Sequence, residues 1–117
     1  MDFISFYSNL EKKAKKVEVT EKTFQFISFN LGNEEYAIEM LSIKEIVEIP
    51  YITRVPKAPY YVVGVMNLRG YIVPIVDLRR RFNIPESRFD EGERKIIILE
   101  GINKDRHVGI IVDRVNE

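Results

Sequence analysis

The sequence predicts an all-β fold, and three observations carry that reading. Aromatic and β-branched runs of strand length recur along the chain. Glycine-containing turns separate these runs in pairs, which is the pattern of hairpins. Helical periodicity is confined to the N-terminal end. Six or seven short strands with tight turns and little helix indicate a barrel or a sandwich.

Residues 1–22 stand apart. Phe3, Phe6, Tyr7, Leu10 and Ala14 recur at spacings of three and four, and Lys12, Lys13, Lys15 and Lys16 lie outside that set. The spacing predicts a short amphipathic helix over residues 5–16, either one that caps its own domain or one that meets a partner or a membrane surface. From Thr23 the pattern changes to strand. Residues 24–29 are aromatic and β-branched, Gly32 and Asn33 supply a turn, and residues 35–40 return. Residues 43–49 read as a further strand, preceded by one helical turn. Pro50, Pro56 and Pro59 then punctuate a loop.

A second hairpin follows, with strands at 61–68 and 71–76 and Gly70 in its turn. Pro74 lies inside the second of these strands. Proline cannot donate to a ladder, so this strand is expected at a sheet edge, or Pro74 at a bulge. Residues 77–82 suit a short helix capped by Asp77. A polar loop over 85–93 leads to the last hairpin, 94–100 and 108–113. Its final strand is apolar throughout and arrives late, with few later residues to cover it.

Composition narrows the function. A chain of 117 residues fits one domain. Its 45% apolar and 31% charged residues exclude a disordered tail protein. The 18 basic residues balance 18 acidic ones, so the net basic excess usual in phosphate-backbone binding is missing. Without cysteine there is no disulfide framework, thiolate zinc site or cysteine nucleophile. A single histidine, His107, rules out a histidine-rich metal site. No apolar run approaches the roughly 18 residues that span a bilayer. Asp2 comes first and the basic residues follow the apolar ones, the wrong order for a secretory signal. A cytoplasmic protein without direct membrane insertion is expected.

An enzyme should leave a trace of its reaction. There is no phosphate-cradling glycine loop and no zinc-binding helix motif. The serines have no nucleophile-elbow context. His107 stands beside a hairpin turn and reads as a strand-surface residue rather than a catalytic base. Asp90, Glu91 and Glu93 lack the alternation of a calcium loop and read as a solvated turn. Arg79, Arg80 and Arg81 would point in three directions on a helix, which suits a solvated surface. Tyr60 and Tyr61, the aromatic partners a nucleic-acid site would need, are remote from them in sequence. No catalytic residue, cofactor or metal is expected. Met40, Ile43 and Val115 sit at strand ends, where burial is least determined, and read as ordinary core or, failing that, as a contact surface.

Three blocks carry a resemblance. The first is Gly64-Val65-Met66-Asn67-Leu68-Arg69-Gly70-Tyr71-Ile72-Val73-Pro74-Ile75-Val76-Asp77-Leu78-Arg79. The second is Leu31-Gly32-Asn33-Glu34-Glu35-Tyr36-Ala37-Ile38 followed by Ile43-Lys44-Glu45-Ile46. The third is Val108-Gly109-Ile110-Ile111-Val112-Asp113-Arg114-Val115. Together they closely resemble the signature of the CheW family of bacterial chemotaxis adaptors, in family order and over residues 24–117. The resemblance implies two SH3-like five-stranded β-barrels side by side. It also implies a scaffold without catalysis, one that couples the cytoplasmic tips of methyl-accepting chemoreceptors to the regulatory domain of the histidine kinase CheA. Such an adaptor is recruited from the cytoplasm to membrane-associated receptor arrays. By motif position the receptor-binding residues are Met40, Ile43, Glu45, Gly64, Arg69, Val112 and Val115, along a groove between the barrels. A receptor tip is a helical hairpin, and a helix in a groove is gripped by apolar anchors at helical spacing. Arg69 would pair with Glu45 and fix the groove wall, while Gly64 would serve the backbone.

Family members continue beyond the Val-Asp-Arg-Val strand. The expected organisation is therefore an N-terminal amphipathic segment at 1–22, a complete first barrel at 23–82, and only the first part of a second barrel at 83–117. A lone hairpin is marginal, and its outer strand is an open edge. The hairpin over 94–113 is expected to be completed by another chain, through strand exchange or edge pairing. Two other functions compete. A generic SH3-like peptide binder needs an aromatic-lined groove, whereas tryptophan is absent and the tyrosines are scattered. A small-barrel nucleic-acid binder would use the arginine run with Tyr60 or Tyr61, and zero net charge opposes it.

Overall fold

The first hairpin pairs β2 (Phe26–Leu31) with β3 (Glu34–Glu39) in continuous register from Phe26 opposite Glu39 to Leu31 opposite Glu34. Gly32 makes the turn possible, with φ +59° in the left-handed region that side chains resist. The chain is seen here in a computed structural model that describes residues 15–16, 25–85, 89–101 and 106–116. Lys15 and Lys16 form a short strand, β1, against β3. The end of the expected N-terminal helix is therefore extended, and the rest of that helix lies outside the described residues. A short β9 (Arg114–Asn116) pairs with the other side of β2 and completes a four-stranded sheet in the order β1-β3-β2-β9.

The second sheet has five strands, β4 (Ile43–Glu48), β5 (Val62–Leu68), β6 (Tyr71–Asp77), β7 (Lys95–Glu100) and β8 (His107–Val112), in the order β4-β7-β8-β6-β5. A 3₁₀ turn, Met40–Ser42, carries the chain from β3 into β4, as the sequence predicted. The short helix α1 (Leu78–Arg81) is also where it was expected. Asp77 caps it, its Oδ1 accepting from the Arg79 N–H at 3.0 Å.

The core explains the apolar runs of β7 and β8. Ile97, Leu99, Val108, Ile110 and Val112 join Phe29, Leu31 and Ile38 in a cluster between the two sheets. The alternate residues Ile96, Ile98 and Ile111 join Met66, Val73 and Ile75 in a second cluster inside the curled five-stranded sheet. Strands buried on both faces need apolar residues at consecutive positions rather than alternate ones. Gly109 fits the same logic, since a Cβ there would meet Ile75 Cδ1 at 2.6 Å and Ile96 Cγ2 at 2.8 Å.

The five-stranded sheet closes on itself as a barrel. Thr53, beyond β4, bridges Val65 on β5. The Thr53 N–H donates to the Val65 carbonyl at 2.9 Å, and the Val65 N–H donates to the Thr53 carbonyl at 2.8 Å. The all-β, SH3-like character predicted from sequence is thus what the sheets build.

Three expectations change. The complete barrel comes from strands between residues 43 and 112, so the division at residues 82 and 83 does not separate two sheets. The late hairpin is not left with an open edge. β7 pairs with β4, and β8 pairs in parallel with β6, so the hairpin is inserted between earlier strands of its own chain. The reason given for self-association through that hairpin is therefore removed. Of the two placements expected for Pro74 the edge strand does not hold, because β6 lies between β8 and β5, and a register shift on the facing strand, between Val62 and Gly64, lies next to it in the ladder. Val65, opposite Pro74, spends its own N–H and carbonyl on Thr53. The Val65–Pro74 pair is then a non-hydrogen-bonded one, and the proline nitrogen faces β8, where the ladder begins only at Ile75.

Candidate functional site

Glu45 and Arg69 come together across the barrel seam. A register shift between Ile43 and Glu45 marks a bulge in β4, the kind of irregularity that re-aims a side chain. Arg69 lies in the β5–β6 turn with φ +49°, and Asn67 Oδ1 braces that turn by accepting from the Gly70 N–H at 2.8 Å. Arg69 Nη1 donates to Glu45 Oε1 at 2.5 Å, and Nη2 donates to Oε2 at 3.0 Å. Two parallel bonds from a planar fork fix direction as well as distance. The hydrogen bonds from Arg69 hold the Glu45 carboxyl below its ordinary range, and Glu45 in turn raises Arg69. The pairing expected from the sequence is present.

The apolar candidates occupy different depths. Met40 begins the 3₁₀ turn and is 40% exposed, with its N–H donating to the Gln25 carbonyl at 2.9 Å. Ile43 and Val115 are half-buried and lean on the same inter-sheet cluster. Val115 stands opposite Phe29 on β9, a strand too short for the sequence reading to find. Two neighbours were missed. Leu41, next to Met40, is 83% exposed, and Phe26, paired with Glu39, is also exposed. A leucine inside a predicted turn was the available signal for the first.

Two candidates act through the fold. Val112 has no exposed surface and packs in the inter-sheet cluster, so it is a core residue and not a contact residue. Its motif position, on which it was expected, does not reveal that a second sheet covers it. Gly64 has φ +156°, and a Cβ there would collide with the Thr53 carbonyl oxygen. It is the residue that lets the seam close.

The remaining motif residues are engaged within the chain. Arg79 Nε lies 3.1 Å from Asp113 Oδ1. Arg80 Nη1 donates to the Tyr60 carbonyl at 3.1 Å, and the Tyr60 hydroxyl bonds back to the Arg80 carbonyl. The Arg81 guanidinium sits 5.5 Å from the centre of the Tyr61 ring. The three arginines do diverge, but the tyrosines that are remote in sequence are their spatial neighbours. His107 opens β8 with its ring 6.4 Å from that of Tyr71, edge to face. Asp90, Glu91 and Glu93 are exposed around a 3₁₀ turn.

Comparison with known proteins agrees with this geometry. Residues 25–117 match the model of the CheW-like domain. The chain is 36% identical over 107 residues to a chemotaxis protein CheW of Treponema pallidum, covering 91% of this chain and 63% of that protein. It is 40% identical over 102 residues to a chemotaxis protein CheW of Helicobacter pylori, covering 87% and 60%. The crystal structure of the scaffolding protein TtCheW from Thermoanaerobacter tengcongensis superposes with a TM-score of 0.73 at 34% identity, over 80% of this chain and 62% of that one. This chain thus spans less than two thirds of each. With the motif blocks, the barrel and these matches in agreement, the chain belongs to the CheW-like domain family.

Proposed function

We propose that this chain is a chemotaxis coupling protein, a scaffold that joins chemoreceptor tips to the histidine kinase CheA and catalyses no reaction of its own. The family match over residues 25–117 carries the proposal. The surface supports it. An exposed apolar turn at Met40 and Leu41 stands beside the half-buried Ile43, and Arg69 is locked to Glu45 near the same strand. Apolar anchors beside a fixed charged pair suit a helical hairpin laid against the surface. The receptor-binding residues are then Met40, Ile43, Glu45 and Arg69 by contact, with Val115 at the margin, while Gly64 and Val112 hold the fold behind them. The kinase's regulatory domain is the second partner, and the working location is the cytoplasmic face of a receptor array. No helix among the described residues is long and apolar enough to cross a membrane.

The competing readings find less support. Arg79, Arg80 and Arg81 are already engaged by Asp113, Tyr60 and Tyr61. Among the described residues Tyr60 and Tyr61 pair with each other, while Tyr71 pairs instead with His107. The test is co-sedimentation of the chain with receptor-bearing vesicles, with and without CheA. Kinase carried into the pellet only when the chain is present is the expected result. Kinase recovery indifferent to the chain would overturn the proposal.

A further inference from the structure

Two buried carboxylates take no part in the candidate site. Asp77 ends β6 and Asp113 follows β8, and these two strands are the parallel neighbours of the barrel. They are 5% and 1% exposed. Arg79 joins them. Its N–H donates to Asp77 Oδ1 at 3.0 Å, and its Nε lies 3.1 Å from Asp113 Oδ1. That second contact is held by charge, since neither atom has an aligned hydrogen bond.

Asp113 also stands where the chain leaves the five-stranded sheet and enters β9 of the other sheet. Its Oδ2 accepts from the Gly32 N–H at 2.6 Å, and its own N–H donates to the Asn30 carbonyl at 3.0 Å. Beyond it, Asn116 Nδ2 donates to Asn30 Oδ1 at 2.8 Å. One carboxylate therefore ties together the β2–β3 turn, helix α1 and the corner before β9. A buried charge is tolerated only while it is paired, so this corner cannot shift without stranding it.

We propose that Asp113, gripped by Arg79 and the Gly32 N–H, is a positioning residue that fixes the corner from which β9 departs and so sets where Val115 stands. The consequence for partner binding rests on the adaptor reading; the consequence for β9 does not. The test uses Asp113→Asn, which keeps an acceptor for Gly32 but removes the charge, together with Arg79→Gln and the double variant. Amide hydrogen exchange is followed by NMR, and binding of a receptor-tip helical hairpin by calorimetry. Each single variant is expected to speed exchange of the β9 amides by about tenfold, with the β7–β8 amides changing less than about threefold. The double variant should be no worse than the worse single one, because the two groups act as a unit. Receptor-tip affinity should fall in Asp113→Asn. If that variant does not fold, Arg79→Gln carries the same test from the partly exposed side of the pair. Exchange at β9 rising no more than in the core, or additive effects, would overturn the proposal. An unmutated chain that does not bind the tip, with the exchange pattern as expected, would overturn the adaptor reading alone.

Discussion

Replacing Gly64 by alanine probes the barrel seam directly. The added methyl would collide with the Thr53 carbonyl oxygen, a backbone atom that cannot swing aside as a side chain would. To make room, Thr53 must leave Val65, and both hydrogen bonds of that bridge are lost. Each is worth about 0.5–1.5 kcal/mol. The backbone at φ +156° adds strain of about 1–3 kcal/mol for any residue with a Cβ. The expected loss is therefore at least about 2 kcal/mol. At roughly 4 °C per kcal/mol for a domain of this size, the melting temperature should drop by about 8 °C or more. Gly92→Ala is the control, since a Cβ there meets nothing within 4 Å. Differential scanning calorimetry of the three proteins is sufficient. A Gly64→Ala protein melting within about 2 °C of the parent would refute the reasoning, and Gly64 would have to be read as a contact residue.

Other expectations follow from burial and charge. Ile110→Ala removes a fully buried side chain between the sheets and should cost about 2–5 kcal/mol in urea unfolding. Ile72→Ala, at a site 65% exposed, should cost less than about 0.5 kcal/mol, and equal costs would contradict the assigned core. The Glu45 carboxyl is held down by its bonds to Arg69, so the pair is intact above the ordinary carboxylate pKa and lost as pH falls through the lowered one. In Arg69→Ala the Glu45 carboxyl resonance should titrate at higher pH; an unmoved titration would mean the pair does not form in solution. Tyr36 is pushed up to about 12 by burial and by the Glu34 carboxylate that accepts its hydroxyl at 2.6 Å. A raised acid pKa stabilises the fold below the unfolded value near 10, and that contribution fades as pH rises towards 12. Tyr36→Phe should delete a step near pH 12 from the tyrosinate absorbance titration, and its persistence would place that step elsewhere.

Local chemistry made much of this fold legible. Gly32 and Gly70 marked real turns, Asp77 capped a real helix, and the helical turn before Ile43 is present. What failed was long-range. No local pattern announces that β8 will lie parallel to β6, so a doubly buried hairpin read as an uncovered one. The same blindness left Pro74 between an edge and a bulge, when its strand is internal and the register shift lies beside it. β9 is only three residues long, too short for any periodicity. The site divided along the same line. Glu45, Arg69 and Val112 were all placed by motif; the first two do pair, whereas Val112 is buried, because a motif does not say what covers a strand's second face. Tyr60 and Arg80, about twenty residues apart, meet only once α1 folds back onto its loop.

The most direct test of the coupling function is a calorimetric titration of this chain with a receptor-tip helical hairpin, repeated with Met40→Asp and with Tyr51→Ser. Met40 is exposed enough to change without disturbing the core, and Tyr51 is an 88% exposed residue outside the proposed site. Binding by the parent chain, lost in Met40→Asp and retained in Tyr51→Ser with circular dichroism unchanged, is the expected result. Equal binding by all three proteins would contradict the proposed site, and no binding by the parent would contradict the function itself.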